Sequence, residues 1–145
     1  MPRTSSKSVK MKNIIITRSQ NSPRICLEPE TGQISIIGRS TTCYTKGVYE
    51  PVISQISTQF KNLSSIELNL SLVHLNTSSR RWICEIFGLL KEFQRKGSVI
   101  KVVWNYESDD IDMLEAGEDY EMIHELDFEY NAIHEDEFYK MLVAV

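Results

Sequence analysis

Apolar and polar residues alternate along one stretch near the middle of the chain. Ile66, Leu68, Leu70 and Leu72 are separated by Glu67, Asn69 and Ser71. A period of two predicts a strand with one buried and one polar face. Past Leu72 the phase slips, because Val73 and Leu75 fall on the other face. A bulge, or burial on both faces near the strand end, accounts for the slip. Ile83, Ile86, Phe87, Leu90 and Phe93 then recur at helical spacing and predict an amphipathic helix over about 79–95. Lys96-Gly97 supplies the cation and the glycine that close a helix. Val99 to Tyr106 is rich in β-branched and aromatic residues and predicts the next strand. Strand, helix and strand make a βαβ unit, so the two strands are expected to run parallel with a right-handed crossover.

The flanks extend this pattern. Ile14-Ile15-Ile16 predicts a first edge strand, broken by Ser22-Pro23. Ile25-Cys26-Leu27 and Ile34 to Ile37 predict two short strands joined by a hairpin turn, Glu30-Thr31-Gly32-Gln33, with glycine where φ must be positive. Residues 38–47 read as loop. Val48, Val52, Ile53, Ile56 and Phe60 predict a helix over about 48–61, with Pro51 near its first turn, where proline is tolerated. Residues 109–124 read as an acidic helix carrying Ile111, Leu114 and Ile123; Leu126 to Tyr130 predicts a last strand and residues 138–145 a short helix. Residues 1–12 are basic, serine-rich and without periodicity, which predicts a disordered lead-in before one domain over 13–145.

Charge changes the picture more than composition does. The net charge is -4, but residues 1–47 carry +6, residues 48–104 carry +3 and residues 105–145 carry -13. An acidic C-terminal third on a mildly basic body excludes nucleic acid from that face, because phosphate contacts need Lys and Arg. Interleaved apolar residues favour a solvated acidic helix over a flexible tail. Cys26, Cys43 and Cys84 are odd in number and form no metal spacing, so a reducing cytoplasm is the simplest setting. No apolar run approaches the ~20 residues of a membrane span.

The candidate chemistry lies where the alternating strand meets the amphipathic helix. Asn76, Thr77, Ser78 and Ser79 offer three hydroxyls and an amide at a helix start. In α/β sheets, function collects at the carboxyl ends of strands, beside helix N-termini with their unpaired N–H groups. Arg80 and Arg81 follow in the first turn, where the helix dipole favours anions. Two cations there make sense if an anion is sometimes nearby, and a phosphoryl group on Thr77 would bring about -1.5 to -2 of charge. The plainer alternative keeps both arginines in solvent and makes Asn76 or Thr77 a simple cap.

Three segments in order carry a resemblance: Leu75 to Ser79, Val102 to Asp110 and Glu115 to Glu121, with Gly38-Arg39-Ser40 after a strand as a further match. Together they resemble the SiaC family of regulatory phosphoproteins, over roughly residues 25–130. The family is similar to STAS domains, the anti-sigma-factor antagonist fold. The resemblance therefore implies an α/β, STAS-like single domain: a mixed, mostly parallel sheet with helices mainly on one face. It also implies a binding module rather than an enzyme, without a cofactor or metal. Phosphorylation maps to Thr77, with Ser78 the nearest substitute. The implied partner-binding residues are Asn76, Ser78, Ser79, Arg80, Arg81, Arg39 and Ser40. The implied partners are a Ser/Thr protein kinase, a metal-dependent Ser/Thr phosphatase and a diguanylate cyclase, bound and activated by the unphosphorylated form to raise cyclic di-GMP. One departure is visible: Thr41-Thr42-Cys43-Tyr44 lacks the Pro-Glu-Asn-like run expected after Gly-Arg-Ser.

Other chemistry is weaker. His74, His124 and His134 lack metal-ligand spacing. Asp109-Asp110-Ile111-Asp112 does not continue as a calcium loop, since position six is Glu115 rather than glycine. Residues 76–81 contain no glycine, against a hydrolase nucleophile turn. Cys43 beside Lys46 reads as an inert thiol before a redox one. Two further readings stay open: a small hydrolase using the junction hydroxyls with His74, and a scaffold whose acidic 107–137 face docks a basic partner.

Overall fold

The structure is a computed structural model that describes residues 13–144. The expected lead-in over 1–12 lies outside them. Six strands form one sheet in chain order: β1 (Ile14–Ile16), β2 (Arg24–Glu28), β3 (Gln33–Ser40), β4 (Ser65–Leu75), β5 (Val99–Glu107) and β6 (Asp127–Ile133). β1, β2 and β3 pair antiparallel; β3 to β6 pair parallel. Four helices follow the last four strands in turn: α1 (Thr45–Gln59), α2 (Thr77–Arg95), α3 (Ile111–His124) and α4 (Glu135–Val143). With strands laid down in sequence and crossovers right-handed, α1, α2 and α3 fall on one face. Their apolar stripes meet the core-facing residues Ile34, Ile36, Leu68, Leu70, Val102 and Trp104 there. The expected mixed, mostly parallel sheet with helices mainly on one face is the observed architecture.

The hairpin turn is as expected: Gly32 has φ of 73° and sits so close to β4 that a Cβ would meet the Ser65 carbonyl oxygen at 2.3 Å. The phase slip after Leu72 is a bulge. Arg39 pairs with Val73 but Ser40 pairs with Leu75, leaving His74 as the extra residue at φ of 54°.

Several expectations need correction. β3 continues through Gly38-Arg39-Ser40 because it pairs with β4 along that length, so the loop shrinks to residues 41–44. α1 begins at Thr45, which moves Pro51 from the first turn into the helix interior. α2 begins two residues before the expected start, because Asn76 caps it. In α3 the buried residues are Met113, Ala116, Gly117 and Tyr120, whereas Ile111 and Ile123 are exposed. Gly117 explains that face: a Cβ there would lie 2.7 Å from Trp104 Nε1, so the helix can press onto the indole only at a glycine.

α4 lies apart from the main core. Its Phe138 is 1% exposed, and the helix packs on β5 and lines a cavity with Arg39 and Val73. Arg39 and Val73 alternate with core-facing neighbours, so this is the opposite face of the sheet. That face mixes apolar residues such as Ile37 and Val103 with a polar row. Asn105 Nδ2 donates to Asn69 Oδ1 (2.9 Å) and Ser71 Oγ (3.0 Å), and Asn131 Nδ2 donates to Asn105 Oδ1 (2.9 Å). A polar ladder across three strands meets the hydrogen-bonding needs of a partly covered sheet face.

Candidate functional site

The site begins at the carboxyl end of β4. The bulge at His74 brings Asn76 under the end of β3, where its N–H donates to the Ser40 carbonyl (3.1 Å). Asn76 is the N-cap of α2, with extended backbone and its Oδ1 accepting from Ser79 N–H (2.8 Å). The Asn76 carbonyl accepts from Arg80 N–H (3.0 Å). The first N–H groups of a helix have no partner within it. The cap satisfies that of Ser79, and those of Thr77 and Ser78 remain for water or an added anion.

Thr77 is the first residue of α2 and is exposed. Ser78 is exposed too, with its hydroxyl bonded to that of Thr45. Ser79 is buried. It donates to the Ser40 carbonyl (2.9 Å) and accepts from the Ser40 hydroxyl (2.7 Å). Ser40 Oγ also bonds Tyr49 OH on α1 (2.6 Å). Burial pushes the Tyr49 phenol up to about 12, against the opposing pull of its hydroxyl neighbours. The junction is thus layered: an interior of hydroxyls that fixes position, and an outer pair, Thr77 and Ser78, open to chemistry.

The expected contact residues separate accordingly. Asn76, Ser78, Arg80 and Arg81 do gather at the junction. Ser40 and Ser79, expected among the partner-binding residues, are fully buried here and act as interior supports of the junction. Arg39 is exposed but lies on the opposite sheet face, in a cavity with Arg18, Asn21, Val73 and Tyr139. Arg81 is exposed beside Ser78, lining a cavity with Trp82, Cys84 and Glu85.

Arg80 needs a different explanation from the one its position suggests. Its carbonyl accepts from Tyr120 OH (2.7 Å), and its side chain lines a cavity of about 690 Å³ with Glu107, Asp109, Asp110, Asp112 and Glu135. Carboxylates therefore share a cavity with each of the two first-turn cations, five with Arg80 and Glu85 with Arg81. Burial raises the Tyr120 phenol pKa, with Arg80 opposing.

The same cavity holds a grouping that loop spacing does not reveal. Glu107 and Asp109 at the end of β5 and Glu135 at the start of α4 bring carboxylate oxygens within 4.8 Å of one another. Glu107 Oε1 is shut from solvent with no hydrogen-bond partner. His74 lines this cavity as well, while the junction hydroxyls of Ser78 and Ser79 bond to Thr45 and Ser40. That arrangement gives no base–nucleophile pair of the kind a hydrolase needs.

Sequence reasoning missed Asn21, Thr42, Thr45 and Tyr49. Asn21 O accepts from Thr41 N–H (2.8 Å) and Thr42 N–H (3.0 Å), and Asn76 Nδ2 donates to the Thr42 carbonyl (2.9 Å). Each is a long-range backbone or hydroxyl partner with no periodic signature. His124 carried no signal either: its Nε2 lies 3.3 Å from Cys84 Sγ, with its pKa lowered by burial and then by Lys91.

Comparison with known proteins finds relatives in sequence and in fold. A family model for the SiaC family regulatory phosphoproteins matches residues 16–133. An uncharacterised protein of Pseudomonas aeruginosa (strain UCBPP-PA14) is 28% identical over 114 residues, spanning 76% of this chain and 88% of the relative. The crystal structure of apo-SiaC from Pseudomonas aeruginosa superposes with a TM-score of 0.79 at 25% identity, covering 84% of this chain and all of that one. A crystal structure of the diguanylate cyclase SiaD in complex with its activator SiaC, from the same organism, matches with a TM-score of 0.78 at 25% identity, covering 83% of this chain and 99% of that one. Among the described residues no helix is long and apolar enough to cross a membrane.

Proposed function

The chain belongs to the SiaC family of regulatory phosphoproteins, and from that premise we propose that phosphorylation of Thr77 switches its binding to a partner protein. The observation that carries this reading is the exposure of Thr77 as the first residue of a capped helix, with its neighbours Asn76 and Ser79 anchored to the end of β3. A dianion at a helix N-terminus meets a favourable dipole and free N–H groups, so the fold tolerates it. The surface around it does not stay the same. A partner docking there would have to desolvate about two negative charges.

The output partner is a diguanylate cyclase, activated when Thr77 carries no phosphate. The complex of SiaD with its activator SiaC supports a cyclase as the partner. A Ser/Thr kinase and a metal-dependent phosphatase set the modification, and the switch operates in the cytoplasm. This protein contributes a surface, not a reaction, and Ser78 is the alternative acceptor. The test is intact-mass and phosphopeptide analysis after co-expression with the kinase. One phosphoryl group on Thr77, absent in Thr77→Ala, supports the reading. Phosphate elsewhere, or none, rejects it.

A further inference from the structure

Tyr44 stands where α1 would gain from a small capping residue. It is the N-cap, yet its side chain makes no capping hydrogen bond, and the first turn carries no acidic residue. Ser, Asp or Asn at that position would accept an N–H of the first turn and stabilise the helix. Instead a tyrosine stands 72% exposed. Its ring lies over Gly47, so close that a Cβ on Gly47 would fall 2.0 Å from a ring carbon.

A single exposed aromatic is ordinary. One on a backbone fastened at several points is less so. Thr41 and Thr42 are tied to Asn21, Tyr44 N–H donates to Thr42 Oγ1 (3.0 Å), Asn76 Nδ2 holds the Thr42 carbonyl and the Thr45 hydroxyl bonds that of Ser78. Asn76 and Ser78 flank Thr77. The residues that present the phosphoacceptor therefore also fix Tyr44. A large side chain with few rotatable bonds on a pre-ordered loop loses little entropy on docking, which is the usual make-up of an interface hot spot.

Charge indicates what it docks against. Lys46 is exposed next to Thr45 in the chain, Arg81 is exposed in a cavity with Ser78 and Glu85, and the ion pairs among the described residues lie elsewhere. The unmodified surface around the Thr45–Ser78 bond carries an exposed aromatic and two exposed cations against one carboxylate, Glu85. Its complement is an apolar pocket with an acidic rim. We propose that Tyr44 is the aromatic anchor of the partner-docking surface, seating in an acid-rimmed apolar pocket of the cyclase partner. This rests on the reading in which the chain docks a diguanylate cyclase partner. A phosphoryl group on Thr77 then opposes the same contact, by cancelling the two cations and repelling the rim.

The experiment measures melting temperature and affinity for a purified SiaD-type diguanylate cyclase, for the full chain and for Tyr44→Ser, Tyr44→Phe and Thr77→Glu. Tyr44→Ser is expected to melt at or above the parent, because a cap is gained, and to bind at least about tenfold more weakly. Tyr44→Phe keeps the ring and retains binding. Unchanged affinity in Tyr44→Ser overturns the proposal, as does a marked fall in its melting temperature, which would make Tyr44 structural. If Thr77→Glu binds like the parent while Tyr44→Ser does not, the switch reading fails and the anchor stands. If the unmodified chain does not bind the cyclase, both fall.

Discussion

The Ser79 hydroxyl donates to the Ser40 carbonyl at 2.9 Å and accepts from the Ser40 hydroxyl at 2.7 Å, which fastens the first turn of α2 to the end of β3. Both residues are fully buried, so neither hydroxyl can turn to water for a replacement partner. Ser79→Ala is expected to cost about 1–2 kcal/mol, the penalty for leaving a buried hydroxyl short of a partner. Denaturant unfolding measures it. Thr77 stays exposed in the variant, so under the proposed switch its phosphorylation is expected to persist, which separates a positioning residue from a contact residue.

Thr77 itself touches little, so its substitutions leave the fold alone. Thr77→Ala and Thr77→Glu are each expected to change stability by no more than about 0.5 kcal/mol, as for other exposed positions. Glu in a first turn is if anything favourable. Circular dichroism and thermal melting check this. A drop of several degrees in either variant would show that the residue has a structural task.

Gly117→Ala tests the contact that seats α3. Alanine is the better helix former by about 1 kcal/mol, but its Cβ would press on the Trp104 ring. That ring is held by a bond from Nε1 to the Met113 carbonyl (3.0 Å). The expected net result is a loss of about 1–3 kcal/mol from overpacking, with a change in tryptophan fluorescence. A neutral or stabilising outcome would mean that the indole can move aside.

Tyr49 gives a pH dependence with a definite sign. Burial raises its phenol from 10.0 to about 12. The native state therefore holds that proton more tightly than the unfolded chain does. The resulting stability is complete below pH 10 and disappears as pH rises towards 12, a loss of roughly 2–3 kcal/mol. Tyr120, raised by burial as well, acts in the same direction. Alkaline titration followed by unfolding should show this slope between pH 10 and 12, and Tyr49→Phe should reduce it.

Much of this arrangement was readable in the chain because it is local and periodic. The alternation from Ile66 to Leu72 and the helical stripe from Ile83 to Phe93 specify β4 and α2 directly. The phase slip at Val73 marked the bulge that His74 makes. Where the reading erred, tertiary pairing decided the outcome. Gly38-Arg39-Ser40 looks like loop by composition, yet pairing with β4 makes it strand. Ile111 and Ile123 look like an apolar stripe, yet the α3 face is set by Gly117 meeting Trp104.

At the site, Thr77 and its cap were visible because helix-start residues have a signature. Ser79 and Ser40, whose hydroxyls touch across 39 positions, could not be placed inside or outside from their neighbours in sequence. The carboxylates that share a cavity with Arg80 arrive from β5, the β5–α3 turn, α3 and α4, so local spacing does not reveal them.

The central claim is that a phosphoryl group on Thr77 decides partner affinity without altering the fold. Its most direct test is calorimetric titration of a SiaD-type diguanylate cyclase with the unmodified and the Thr77-phosphorylated chain, prepared side by side and matched by circular dichroism. The account predicts binding by the unmodified chain and affinity weakened at least about tenfold by the phosphoryl group. Equal affinity of the two forms would contradict it.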